Sequence, residues 1–348
     1  MQRSNRRIVF AAPQTVEVQQ EQVVTDGLGA DELIVESLYS AVSAGTELAC
    51  LSGTEAWFPF PRVPGYAAVG RVVALGNAVT GLREGEVVLH YGGHQSYNRR
   101  TLGDFLVPVP AGIDLQVAPM TRLASVAFTS IRVSSIEAGD FVAVAGLGPV
   151  GNLAAQLAQI QGGRVIGVDV SAGRIELARN CGIEQTIDAS REDAAERIRE
   201  MTGGGGVDTV IDATGSPRAI VAEMRWVAKR GELILLGSPR GEVQGDLTEL
   251  LSGVHLWPRG CVTLKGAHEW RYPVMQDPNT KHSLERNSRV AWWLQQTGKL
   301  QMDKLITHVV SPADAPAAYE GLRTRKDEYL GVVFDWSGDE PVAAPSCA

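Results

Sequence analysis

Between Gly146 and Gly151 the chain reads Gly-Leu-Gly-Pro-Val-Gly, a glycine spacing that lets a backbone approach a phosphate. The stretch leaves the apolar run Phe141 to Ala145 and opens a helical pattern with Val150, Leu153, Ala154, Leu157 and Ala158 on one face. Gly146 suits the tight turn, Gly148 leaves room for a pyrophosphate, and Gly151 lets helix and strand pack closely. Pro149 and Val150 begin the helix, whose first N–H groups and positive dipole end complement phosphate charge. Asp169 ends the next strand, 18 residues beyond Gly151. A carboxylate there accepts from both ribose hydroxyls and repels a 2′-phosphate, which favours NAD over NADP. Arg174, near Asp169 and Val170, keeps NADP open. Ala213 and Thr214 in Asp212–Gly215, and Gly237 and Ser238, stand at two later strand ends, where open α/β sheets bind ligands. These are contacts to adenine or nicotinamide ribose, or else ordinary turns.

The elements that hold this motif alternate. Strands at 140–148, 164–170, 185–188, 207–215 and 232–238 are separated by helical patterns, one of them spanning 217–231. Such alternation predicts an α/β domain with a doubly wound parallel sheet, over residues 127–269. The first 125 or so residues are different, with short Val-rich runs between glycine turns that predict a compact β-barrel or sandwich. Beyond residue 269 a helix, a strand, a helix and a last strand precede a small polar tail, Ser337–Ala348, expected to fray.

Composition narrows the class. The chain has 348 residues, 44 % hydrophobic and 21 % charged, enough for two domains with buried cores. A net charge of -8 disfavours nucleic acid, which demands a basic face. No apolar run reaches membrane-spanning length, and Arg3, Arg6 and Arg7 lead into no signal-peptide core. Cys50, Cys181, Cys261 and Cys347 form no C-x-x-C pair, so the chain reads as a cytoplasmic protein with reduced thiols.

Taken in order, "VPGYAAVGRVVALG", "GEVV", "AGLGPVG", "VDVS", "DATGS" and "GKLQMDKLITHVVSPADAPAAYEGL" resemble the medium-chain dehydrogenase/reductase superfamily of the alcohol dehydrogenase type, from about Ile8 to Trp336. The resemblance implies a GroES-like barrel made from both chain ends, residues 1–126 and 270–348, with the dinucleotide domain inserted. It also implies zinc ligands, which this sequence lacks. Ser43 or Ala44, Tyr66 with Ala67, and Ser125 occupy the ligand places, and none is thiolate, imidazole or carboxylate. The cysteines of the family's structural-zinc lobe are missing too. An improvised site from Glu47, Cys50, His90 and His94 is the alternative; no zinc is expected.

Without a metal, a protein acid/base must hold the substrate oxygen. By the resemblance, Tyr66 stands at the ligand histidine's place, and either handles the proton or fills the void. Thr46 and Glu47 match a proton-relay hydroxyl and carboxylate, or else form a helix cap. His94 falls in the loop that lines the family's substrate pocket, Thr129 near its nicotinamide, and His90 reads as structural. His268, Glu269 and Trp270 are candidates to close over substrate, or a solvated loop. The leading reading is a zinc-independent, NAD-dependent oxidoreductase acting on a sugar, polyol or cyclitol. The alternatives are a quinone- or enoyl-type NAD(P)H reductase, and a catalytically dead NAD-binding protein. Relatives pair sheet edges, so a homodimer or homotetramer through "CVTLKGAH" is expected.

Overall fold

A computed structural model describes residues 2–338, so Cys347 and most of the tail expected to fray lie outside the described residues. The chain divides into two compact units, Met1–Arg122 with the chain from Ile306 onward, and Leu123–Leu305.

The first unit contains β1 (Gln2–Ala12), β2 (Thr15–Val24), β3 (Glu32–Ala41), α1 (Ala44–Ser52), β4 (Ala68–Leu75), β5 (Val87–His90), β6 (Tyr97–Thr101) and β7 (Leu106–Pro108). Helix α2 (Met120–Val133) begins in it and continues into the second unit. The second unit adds β8 (Phe141–Ala145), α3 (Pro149–Gln161), β9 (Arg164–Asp169), α4 (Ala172–Asn180), β10 (Gln185–Asp188), α5 (Ala194–Met201) and β11 (Val207–Asp212). It closes with α6 (Pro217–Glu223), β12 (Val227–Leu235), α7 (Leu247–His255), β13 (Thr263–Gly266) and α8 (Leu284–Gln296). The chain then returns to the first unit with β14 (His308–Val310), α9 (Ala315–Thr324) and β15 (Val332–Asp335).

In the first unit β3 is the central strand of a mainly antiparallel sheet ordered β14-β15-β3-β4-β5-β7. One edge of β3 is shared, by β6 along its first half and β15 along its second. β4 fills the other edge, and Gly70 within it has no room for a side chain, because a Cβ would lie 2.4 Å from the Glu36 carbonyl. The β1–β2 hairpin is tied on through Ile8 N to His94 O (2.9 Å) and Phe10 N to Arg62 O (2.9 Å). Ile8, Phe10, Leu51, Phe58, Tyr319, Val332, Phe334 and Trp336 form one core, so both chain ends build this unit.

The second unit is an all-parallel sheet in the order β10-β9-β8-β11-β12-β13. Its direction of winding reverses between β8 and β11, the place where sheets of this kind leave a crevice at their strand ends. Two expectations change. The helix expected over 217–231 ends at Glu223, and β12 starts at Val227, which pairs with Val207. Arg230 at φ 65 and the close approach of Gly231 to the Asp208 carbonyl (2.7 Å to a Cβ) suit an irregular strand, not a helix. The domain boundary expected at 269/270 also differs from the division of the compact units, at 305/306. Segment 270–305 packs on the second unit through Ser125 Oγ to Leu284 O (3.4 Å), Gln301 N to Gln156 Oε1 (2.8 Å) and Lys304 Nζ to Asn180 O (2.7 Å).

Candidate functional site

In the second unit, missing side chains shape the turn after β8. Gly146 has φ +84, and a Cβ on Gly151 would lie 1.7 Å from the Gly146 carbonyl oxygen. Only glycine allows that contact of helix with turn. Gly148 differs. It has ordinary backbone angles (φ -60, ψ 176) and caps α3, and a Cβ there would meet nothing within 4 Å. The space it leaves open adjoins the first N–H groups of α3, as an anion cradle requires. Gly146 abuts Thr214 and Ala213 across the switch point, and Gly215 and Gly237 approach so closely that a Cβ on either would meet the other loop at 2.4 Å. Ala213, Thr214, Gly237 and Ser238 are thus gathered at the carboxyl ends of β11 and β12.

Asp169 is 5 % exposed and aims its carboxylate back at the turn. Its Oδ2 accepts from Leu147 N (2.6 Å), and its Oδ1 from Val170 N (2.7 Å) and Ser171 N (2.9 Å). The two bonds to Oδ1 use its lone pairs, leaving acceptor capacity on Oδ2 alone. The expectation that Asp169 holds both ribose hydroxyls therefore narrows to one. Arg174 Nη1 sits 3.7 Å from that Oδ2, and its Nε has no hydrogen-bond partner. Val170 beside them is 67 % exposed, an apolar surface of the kind a base can lie against. Thr129 is fully buried on α2, and its hydroxyl also lacks a partner. These features fit a dinucleotide: an open anion cradle, a spare carboxylate lone pair, an exposed apolar side chain and an unused hydroxyl.

Below the β11 loop, Asp212 Oδ1 accepts from Thr214 N (3.0 Å) and Thr214 Oγ1 (2.5 Å), and Oδ2 from Gly215 N (3.2 Å). Burial raises the Asp212 carboxyl, while these bonds oppose the rise. Glu223, 1 % exposed, is pushed up to about 9 by burial and the Asp212 carboxylate, and is protonated at neutral pH. His268 precedes a short helical turn, Glu269–Arg271, on which Trp270 is 56 % exposed.

In the first unit, side chains do the building. Tyr66 is half-buried, and its hydroxyl donates to Ser43 Oγ at 2.5 Å. Ser43 is the N-cap of α1 and its N–H donates to Glu47 Oε1 (2.8 Å), a carboxylate one turn into the helix. Glu47 is 2 % exposed, and its Oε2 also takes Tyr319 Oη–H (2.5 Å) and His94 Nε2 (3.0 Å). His94 Nδ1 meets Ser40 Oγ (2.8 Å), which accepts from Trp336 Nε1 (2.9 Å). The tautomer that satisfies every partner carries its hydrogen on Nε2 and accepts from the Ser40 hydroxyl at Nδ1.

Glu47 and His94 were expected among the reacting groups. The structure buries both and spends their polar atoms on each other, on strands and on α9, so they support the Tyr66 loop. The support is also steric. A Cβ on Gly65, at φ +96, would lie 2.7 Å from the His94 ring, and His94 N donates to Pro64 O (2.8 Å). Thr46, half-buried on α1, neither caps the helix nor joins this network. His90 is fully buried and pushed down to about 3, by burial first and Arg100 second, and stays uncharged.

Sequence reasoning missed Arg122. It is 1 % exposed, its guanidinium carbon 5.2 Å from the Tyr66 ring centroid and 4.5 Å from that of Tyr91. The signal was there: Arg122 is the one charged residue between Met120 and Ile131, in a stretch whose other residues are apolar or hydroxyl-bearing.

The residues do not fit zinc. Ser43 and Tyr66 offer hydroxyl groups that bind each other, and a tetrahedral zinc site needs thiolate, imidazole or carboxylate. Among the described residues no group of three or more His, Cys, Asp or Glu side chains is placed to hold a metal. Of the improvised set, Glu47 and His94 meet each other, while Cys50 packs in the apolar core with Phe10 and Leu51.

Two family models match the chain: "Alcohol dehydrogenase GroES-like domain" over residues 29–106 and "Zinc-binding dehydrogenase" over 149–276. The chain is similar to D-guloside 3-dehydrogenase of Escherichia coli (strain K12), 28% identical over 265 residues, covering 73% of this chain and 72% of the relative. It is also similar to an uncharacterized zinc-type alcohol dehydrogenase-like protein of Haemophilus influenzae, 23% identical over 319 residues, covering 83% and 87%. Among solved structures, galactitol-1-phosphate dehydrogenase from Escherichia coli superposes with a TM-score of 0.81 at 18% identity, over 95% of this chain and 99% of that one.

Proposed function

This chain belongs to the alcohol dehydrogenase-like medium-chain dehydrogenase/reductase superfamily, and on that premise we propose that it is a zinc-independent, NAD-dependent oxidoreductase of a polar secondary alcohol or its ketone. The substrate class is a sugar, polyol or cyclitol, in keeping with relatives named for D-guloside, L-galactonate and sorbitol. The observation that carries the reading is the turn at Gly146–Gly151, closed to a side chain at Gly151 and open at Gly148 beside the α3 N-terminus.

A bound NAD would accept the substrate's hydride with its electron pair. The chain's own part is to hold the cofactor and move the remaining proton. Gly148 and the α3 N–H groups hold the pyrophosphate, and Asp169 Oδ2 holds one ribose hydroxyl. Tyr66, as phenolate, takes the proton of the substrate hydroxyl during oxidation, and returns it to the oxygen during reduction. Ser43 keeps the phenol in place in both states, because a hydroxyl accepts from the neutral phenol and donates to the ionised one. Glu47 and His94 fix Ser43 and Gly65, and so the ring. Copies of the chain associate through β13, the edge strand of the parallel sheet, where Leu264 is 38 % exposed. The compartment is the cytoplasm, in keeping with a buried Cys50 and Cys181; no described helix is long and apolar enough to cross a membrane.

Arg174 carries the second reading. Its guanidinium beside Asp169, with Nε unused, is suited to a 2′-phosphate and so to an NADPH-dependent enone or quinone reductase. The test is one panel of polyols, sugars, enones and quinones with both cofactors, run with and without a chelator, alongside metal analysis. The expected result is chelator-resistant oxidation of polyols or sugars with NAD, abolished in Tyr66→Phe. Turnover confined to NADPH with enones or quinones, or stoichiometric zinc whose removal stops the reaction, overturns the reading.

A further inference from the structure

The role of Tyr66 rests on the reading above, and the inference here deepens it. A phenol gives up its proton near pH ~10 in water and needs a neighbouring cation to do so nearer neutrality. Arg122 is 1 % exposed, and its guanidinium carbon stands 5.2 Å from the centroid of the Tyr66 ring. It also lies 4.5 Å from the Tyr91 centroid and 6.0 Å from that of Phe105, two rings stacked on each other at 4.6 Å. Three aromatic rings therefore fix one arginine. A guanidinium keeps its charge at any pH the fold survives.

We propose that Arg122 is a positioning residue for the reaction, a permanent buried charge that favours the ionised form of the Tyr66 phenol. It gives the Tyr66 loop, from within the chain, the positive charge that Ser43 and Tyr66 cannot recruit as a metal. Among the described residues, the other ionisable groups named near the ring act less directly. Glu47 opposes the effect but reaches the phenol only through Ser43, and its carboxylate charge is spread over three donors, Ser43 N, His94 Nε2 and Tyr319 Oη. The His94 ring packs on Gly65, one residue before Tyr66. Tyr319 is raised well above the usual phenol range, by burial first and then Glu47, and stays neutral. His90 is uncharged, for the reasons given above. Tyr91 shares the guanidinium, so its own titration has to be subtracted from the measurement.

The experiment is a spectrophotometric titration of phenolate absorbance in the full chain, with the Tyr66→Phe curve subtracted to isolate Tyr66. The expected midpoint in the unaltered protein lies at least about one pH unit below ~10. In Arg122→Met, which keeps the bulk and removes the charge, it moves up by about one to two units, and Arg122→Lys brings most of the shift back. The acid limb of kcat/KM for alcohol oxidation moves in parallel. A Tyr66 midpoint at or above ~10 in the unaltered protein overturns the proposal, whether or not Arg122→Met folds. So does a midpoint unmoved in a folded Arg122→Met. The titration needs no turnover, so it separates the two ideas. Full activity in Tyr66→Phe removes Tyr66, and with it Arg122, from the reaction while leaving the charge effect on the phenol measurable, and an unshifted titration sinks this inference alone.

Discussion

Around Gly146 the binding surface is backbone, exposed where side chains are missing; around Tyr66 it is a phenol held by a chain of other side chains. The first region is built from neighbours in sequence, within the turn and the first residues of α3. The second joins Ser40, Ser43, Glu47, Tyr66, His94, Arg122, Tyr319 and Trp336, drawn from both ends of the chain. A backbone site tolerates almost no added atom at its tight points, whereas a side-chain network loses function in steps, one hydrogen bond at a time. The contrast can be broken experimentally.

The largest effect is expected from Gly151→Ala. A Cβ 1.7 Å from the Gly146 carbonyl must push helix from turn, at a cost of roughly 3 kcal/mol or more in stability, with loss of NAD binding. Gly148→Ala is the control within the same motif. Its Cβ points into open space, so melting should stay within about 0.5 kcal/mol of the parent while NAD affinity drops severalfold or more. Thermal melts and fluorescence titration with NAD measure both. A Gly151→Ala protein that melts like its parent would refute the close-packed turn.

The Tyr66 network is expected to fail more gradually. Glu47→Gln leaves a buried amide facing three donors and should cost about 2–3 kcal/mol. Tyr319→Phe removes one of those donors and should cost about 1 kcal/mol, since Glu47 Oε2 keeps His94. Denaturant melts measure both. Equal losses would mean that the hydrogen bonds do not act as a chain through Glu47.

The same division explains what could be read ahead of the structure. The alternation of strand and helix from residue 141 onward is local, so the parallel sheet and the Gly146 turn were legible. The first residues of β12, Val227 to Gly231, read as helix because "WVAKRG" has helical composition, and the partner of Val227, Val207, lies 20 residues upstream. Tyr66 could be singled out by its place in the motif, but its partners could not, because nothing in sequence spacing links residue 47 to 319. For the same reason Glu47 and His94 looked like reacting groups: an isolated carboxylate and imidazole have the chemistry, and only packing shows it already used.

The two units also respond to pH in opposite directions. In the first unit, His90 is pushed from its ordinary 6.5 down to about 3, so the unfolded chain takes up a proton that the folded unit refuses. That stability is present above 6.5 and is lost as pH falls from there towards 3. In the second unit, Glu223 is raised from 4.5 to about 9, so the folded unit keeps a proton that the unfolded chain releases. Its contribution is complete below 4.5 and is lost as pH rises through about 9. Acid should therefore weaken the first unit and alkali the second. Glu223→Gln should stabilise by on the order of 2 kcal/mol at pH 8 and by little at pH 4.5. Melts of the variant at the two pH values decide it, and a gain that is equal at both would show that Glu223 is not the group responsible.

The smallest effect tests whether the backbone site ends at the backbone. Thr129 is fully buried, yet its hydroxyl has no partner, and a hydroxyl removed from water without a hydrogen bond costs stability. Thr129→Val keeps the shape and deletes the hydroxyl, so the cofactor-free protein should be unchanged or up to about 1 kcal/mol more stable. If the hydroxyl waits for the dinucleotide, NAD binding should weaken by about tenfold, the loss of one hydrogen bond. The two readouts then move in opposite directions, which a packing residue would not produce. Equal NAD affinity in the parent and Thr129→Val would confine the cofactor's partners to the glycine turn, Asp169 and the strand-end loops.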